Sequence, residues 1–193
     1  MKLYFASMHR EREFTEEVFK PIFSYISKDE TLDKVFNSFE VLYPIKIPTL
    51  KDLEKSRILK RIFEEPYGDR LTRTYTLRYI EETVKKLEWH KLEGRILILT
   101  DVKLSSYTPF DFETFKKISG AVVSNNTVVI SSFELEYDLF MIYKEAKHEV
   151  AHTFGLGNCK NDCIMNHTID FKKRSLRYCL DCNKTLLSKI LNS

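Results

Sequence analysis

The segment His148-Glu149-Val150-Ala151-His152 carries the residue types and spacing of a metal site. Two histidines four residues apart share one face of a helix, one turn from each other, and two imidazoles so placed can bind one Zn²⁺. Glu149 projects roughly 100° further round the helix, where it can approach a metal-activated water without being a ligand. The same string can arise by chance, and its histidines would then be ordinary surface residues. Gly155, three residues after His152, is where such a helix must stop for the chain to bend back. That bend could deliver a third ligand from position 158. The residue there is Asn158, and a neutral amide oxygen is a weaker zinc donor than imidazole, thiolate or carboxylate.

Four cysteines follow: Cys159, Cys163, Cys179 and Cys182. All lie in the last 35 residues, and the first 158 contain none. They form two close pairs, Cys159-x3-Cys163 and Cys179-x2-Cys182, separated by 15 residues. Two such pairs suit a tetrahedral zinc site with four thiolate ligands; the rival readings are independent buried thiols or a redox pair. A disulfide framework would staple more of the chain. Zinc bound by four thiolates carries a formal charge of about −2. Residues 159–193 hold seven Lys or Arg against three Asp, so these cations can offset the site rather than mark a nucleic-acid surface.

The elements that would position these groups are legible from pattern. Residues 138–154 read as a helix with Leu139, Ile142, Tyr143, Ala146 and Val150 on the side opposite the histidines, which predicts separate core and metal faces. Residues 95–104 form the strongest strand, with an unbroken apolar run that predicts a buried central position. Residues 2–7 read as a first strand, and 13–27 as a helix that Pro21 delays or kinks. Residues 41–48, with Pro44 and Pro48, read as an edge or irregular strand; 49–66 are a poorly defined helix or loop. Leu77, Ile80, Val84 and Leu87 share one face of a helix over 72–89. Val122-Val123 and 127–130 flank Ser124-Asn125-Asn126 as a hairpin or as two short strands around a loop, and 184–191 close the chain as a short helix. This alternation predicts an α/β domain of two or three layers.

Composition bounds the function classes. A chain of 193 residues suits one domain, and 43% hydrophobic with 31% charged residues is ordinary for a soluble globular protein. A net charge of +3 argues for no nucleic-acid partner by itself. No run of 18 apolar residues is present, so no membrane span is expected. The first residues lack the apolar core and cleavage site of a signal peptide, and a cytoplasmic protein is expected. The oligomeric state is left open.

His148-Glu149-x-x-His152-x-x-Gly155-x-x-Asn158-Cys159, then Cys163-x-Met165, then Cys179-x-x-Cys182, resembles the archaemetzincins. The resemblance is specific over residues 148–182 and weaker upstream, where 95–104 and 128–135 look like the family's central and edge strands. It implies a compact metzincin-like α/β domain, with a mixed twisted sheet, packed helices, a cleft, and zinc at its floor. On that likeness residues 1–155 form the α/β part with the active-site helix. Residues 156–193 form the Met-turn and the zinc-binding cysteine segment. The family's catalytic zinc is held by three histidines, its second zinc by the four cysteines. Met165 would form the Met-turn beneath the catalytic metal. The implied activity is zinc-dependent hydrolysis of peptide bonds in a peptide or protein substrate, aminopeptidase-like or otherwise, with Glu149 as general base. Three departures stand out: Asn158 replaces the third histidine, the first cysteine pair is one residue tighter than the family's, and the stretch from Met165 to Cys179 is shorter. The first opens an alternative, a weakened or inactive peptide-binding module of the same fold. His167, two residues beyond Met165, is either a substitute ligand or a surface histidine.

Overall fold

The computed structural model describes residues 1–9, 14–42, 44–46, 77, 80–102, 104–105, 117–167 and 170–191. In chain order the strands are β1 (Lys2–His9), β2 (Ser38–Val41), β3 (Ile45–Lys46), β4 (Gly94–Thr100), β5 (Leu104–Ser105), β6 (Lys117–Ile118), β7 (Gly120–Ser124) and β8 (Thr127–Ser131). The helices are α1 (Glu16–Ile26), α2 (80–86), α3 (Leu139–Thr153) and α4 (Leu180–Leu191). The main sheet runs β2-β1-β4-β8-β7, with β3 also beside β1. Its ladders are parallel up to β8, and β7 closes it antiparallel, so the sheet is mixed. β5 and β6 pair as a separate short ribbon.

The unbroken apolar run of β4 follows from cover on both faces. Leu97 and Leu99 join Leu3, Phe5, Val128 and Ile130 against α1, α3 and the C-terminal segment. Ile96 and Ile98 join Ala6, Met8 and Val129 against Ile80, Val84 and Trp89 on the opposite face. The alternation of strand side chains thus splits one hydrophobic segment between two cores, giving three layers.

Several expectations are corrected. The strand expected over 95–104 ends at Thr100 and resumes as β5 at Leu104; Thr100 turns the chain by accepting the Val102 amide at 3.4 Å on its hydroxyl and the Ser132 amide at 2.8 Å on its carbonyl. The 128–135 stretch is no edge strand, because β7 folds back and covers β8. Leu87 is 46% exposed rather than on the buried face: α2 ends at 86, Glu88 takes a left-handed turn (φ 57°), and Trp89 enters the core instead. The last helix starts at Leu180, so Cys182 lies inside it. The readings over 49–66, 72–76 and 78–79 lie outside the described residues. Among the described residues no helix is long and apolar enough to cross a membrane.

On α3 the expected apolar face is core, with Ile142, Tyr143, Ala146 and Val150 in one cluster, but the opposite face is covered as well. Every residue from Ile142 to Ala151 is buried, including Lys144, Glu145, Lys147, His148 and Glu149. β7, β8 and α1 all pack on this helix, and the C-terminal segment contributes Cys163, Ile164, Met165 and Leu186 to the same core. Charges inside such a layer need partners. Lys147 is paired with Asp29, whose Oδ2 also accepts Tyr143 Oη at 2.6 Å and whose Oδ1 accepts the Thr31 and Leu32 amides at 3.0 Å. Burial alone would raise the Asp29 pKa, but the Lys147 and Tyr143 hydrogen bonds outweigh it and hold the carboxyl below its ordinary value. A depressed folded pKa contributes stability above the unfolded value, lost as pH falls through the folded one. We therefore expect Asp29→Asn to cost about 3 kcal/mol in urea unfolding at pH 7, and the gap from the parent protein to narrow on acidification below about pH 4.

Candidate functional site

Helix α3 is fixed at both ends. Asp138 caps its start, accepting the Phe140 and Met141 amides at 2.8 and 3.2 Å. At its end Gly155 adopts φ +76°, a conformation that favours glycine, and the Leu156 amide returns to the Ala151 carbonyl at 3.2 Å. This fold-back brings the Leu156 carbonyl to His152 Nδ1 at 2.6 Å. The Ile164 carbonyl meets His148 Nδ1 at 3.0 Å.

A carbonyl oxygen only accepts, so Nδ1 carries the proton in both rings and both Nε2 atoms are unprotonated. Those Nε2 atoms face each other at 3.1 Å, with the rings nearly perpendicular at 89°. Two lone pairs so placed have no proton between them. Tetrahedral zinc with bonds of about 2.05 Å separates its nitrogen ligands by about 3.3 Å, so the pair fits a metal ion. Burial, then the neighbouring His152 and Arg174, drives the His148 pKa down to about 3, which keeps it in the neutral, ligating form.

Glu149 Oε1 lies 3.9 Å from His148 Nε2. Burial and the neighbouring Glu145 push its pKa up to about 8, against the pull of Arg174. Glu145 lies one turn earlier; its Oε1 accepts the Ser119 hydroxyl. Both carboxyl side chains pack under β7 at Gly120, where a Cβ would stand 2.8 Å from Glu149 Cγ and 3.1 Å from Glu145 Cγ; only glycine lets the strand come this close. Arg174 Nη1 reaches 3.4 Å from His148 Nδ1, a contact rather than a hydrogen bond, since that nitrogen already donates to Ile164. Sequence pattern alone missed Glu145, Ser119 and Arg174. Glu145 had a local signal, the Glu-x-x-His spacing to His148; Ser119 and Arg174 are 26 residues from their partners and had none. Asn158 is exposed, as is His167, whose charge is near enough to bear on His148.

The four thiols are free and come together, with all Sγ atoms within 4.8 Å of one another and Cys159 to Cys179 at 3.8 Å. A tetrahedral site with Zn–S bonds of about 2.3 Å places its sulfurs about 3.8 Å apart. Backbone N–H groups already point at the sulfurs: Asn161 to Cys159 at 3.3 Å and Cys179 to Cys163 at 3.2 Å. The Cys182 amide is the chief cause that lowers the Cys179 thiol to about 7, whereas burial pushes Cys163 and Cys182 up. The cluster holds the loop that aims His148. The Cys159 amide donates to the Met165 carbonyl at 2.8 Å, and the Ile164 amide to the Arg177 carbonyl at 2.8 Å, while Met165 is fully buried. Replacing Cys179 by Ser should remove about one metal ion per chain and lower the melting temperature by several degrees; elemental analysis with a thermal melt checks both.

The model of peptidase family M54 matches residues 51–188. The archaemetzincin of Nanoarchaeum equitans is 29% identical over 128 residues, covering 64% of this chain and 66% of that protein. The archaemetzincin of Sulfolobus acidocaldarius is 38% identical over 63 residues, 31% of this chain and 33% of its own length. These alignments thus span two thirds or less of the curated relatives. A crystal structure of the Methanopyrus kandleri archaemetzincin superposes with a TM-score of 0.62 at 22% identity, covering 99% of this chain and 96% of that one, which bears on the fold. The chain belongs to peptidase family M54, the archaemetzincin family.

Proposed function

We propose that this protein is a zinc-dependent peptidase in which His148 and His152 hold the catalytic ion, Glu149 is the general base, and position 158 is the third-ligand place. The observation that carries the reading is the pair of unprotonated Nε2 atoms 3.1 Å apart with a buried carboxyl 3.9 Å from one of them. Zinc held there supplies a Lewis acid that activates water and polarises a carbonyl. Glu149 accepts the proton of the attacking water at its carboxylate and hands it to the leaving amine nitrogen. Its raised pKa suits a group that must both take and give a proton near neutral pH. Among the described residues β7 ends the sheet, so its outer edge can take an extended peptide as an added strand. The 128–130 segment lies inside the sheet, paired on both sides, and offers no free edge.

The four cysteines are the structural zinc site in this reading, and reduced thiols go with a cytoplasmic setting. The whole chain is one domain, supported by the shared core of Leu3, Phe5, Met165 and Leu186. The exposed, neutral Asn158 favours a second reading, a peptide-binding module with a weakened metal site.

Glu149→Gln should keep its metal content and lose about 10²- to 10⁴-fold of hydrolysis of a fluorogenic peptide; full activity would remove Glu149 from its role. Asn158→His should tighten zinc binding at the histidine site about tenfold or more, measured by competition with a chelator. Equal affinity in both proteins would show that residue 158 does not face the metal.

A further inference from the structure

Arg174 is a half-buried cation beside the histidine pair, and among the described residues it forms no ion pair. Its Nε is buried with no hydrogen-bond acceptor. Desolvating a charged donor in this way is costly. The side chain is nonetheless held in place. Its guanidinium lies over the Phe171 ring, 5.2 Å from the centroid, and its backbone amide donates to the Asp170 and Phe171 carbonyls at 3.1 and 3.2 Å. Phe171 packs against the main core and also carries Lys144 Nζ at 5.2 Å. The ring that seats Arg174 thus brings a second cation, which repels the guanidinium rather than neutralising it.

From this seat Nη1 stands 3.4 Å from His148 Nδ1. That nitrogen donates its proton to the Ile164 carbonyl at 3.0 Å, so two donors face each other. The contact therefore works through charge and not through a hydrogen bond. A guanidinium keeps its proton at every working pH, so the charge is permanent. It opposes positive charge at His148 and His152, and it favours negative charge at Glu145 and Glu149. The same field acts on whatever enters the centre. It opposes a metal cation there, and it favours the negative charge that develops on a carbonyl oxygen when water adds to a peptide bond.

We infer that Arg174 is a positioning residue of the peptidase centre, a permanent cation on the Nδ1 side of His148 that loosens metal binding and stabilises the anionic transition state. It reaches the centre across the imidazole, and so acts through its field rather than by touching substrate. The part that concerns turnover rests on the peptidase reading above; the part that concerns the metal does not.

The test compares the full-length parent with Arg174→Gln and Arg174→Lys. Zinc affinity at the histidine site is read by competition with a chelator while the thiol site stays loaded, and His148→Ala shows which ion belongs to which site. Arg174→Gln should bind zinc at the histidines about tenfold tighter, yet hydrolyse a fluorogenic peptide with a kcat about tenfold lower and KM little changed. Arg174→Lys keeps the charge without the planar fork, and should return both values to within about threefold of the parent. An arginine with only a structural role gives the opposite sign at the metal, because loss of its seat on Phe171 would loosen the segment around His148. Zinc affinity that is unchanged or weaker in Arg174→Gln overturns the inference, as does a lysine variant that behaves like the glutamine one. Tighter zinc with undiminished kcat overturns the transition-state part. Tighter zinc with no hydrolysis by any of the proteins overturns the peptidase reading and leaves the charge effect on the metal supported.

Discussion

Two backbone carbonyls, those of Leu156 and Ile164, decide what the histidine pair can be. Each takes the Nδ1 proton of one imidazole, and each thereby turns an unprotonated Nε2 toward the other. Without those carbonyls either ring could carry its proton on Nε2 and face its neighbour as a donor. The carbonyls come from different places. Leu156 is aimed by the left-handed Gly155 at the end of α3. Ile164 is aimed by the loop that the cysteine cluster holds, with Cys159 and Arg177 tying down its two flanks. The thiol cluster and the histidine pair are therefore mechanically joined: one shapes the loop whose carbonyl sets the tautomer of the other.

The second constraint is burial. A helix buried from Ile142 to Ala151 that carries two lysines, two glutamates and a histidine runs against the cost of desolvating charge. Part of that cost is offset by Asp29, which gathers Lys147, Tyr143 and two amides. Lys144 donates to the Lys172 carbonyl at 3.3 Å and lies over the Phe171 ring. Burial raises the pKa of both Glu145 and Glu149 beneath Gly120, tempered by Arg174. Ionisable groups perturbed in this way cluster at functional sites.

The sequence carried the local features well. The helix with its Gly155 stop, the thiol pairs and the buried β4 all depend on spacing within a short window, where side-chain periodicity is read directly. What it hid was long-range. The hairpin of β7 and β8 was visible, but not which of the two would lie outermost, since that depends on β8 pairing with β4. Cover over the polar face of α3 was not legible, because it comes from β7 and from residues as far along as Lys172 and Arg174. Leu87 was misplaced by a helix that ends one turn early at a left-handed Glu88. Asp29, Ser119 and Arg174 reach their partners on α3 across 118, 26 and 26 residues, beyond any pattern.

An imidazole pair that is a metal site distinct from the thiol cluster loses its ion when one ring is removed, while the cysteines keep theirs. Zinc counted per chain by mass spectrometry, in the parent protein and in His148→Ala purified under the same conditions, should then be about two ions in the parent and about one in the variant. One ion in both proteins would contradict it, and would leave His148 and His152 as a buried pair with no metal to hold.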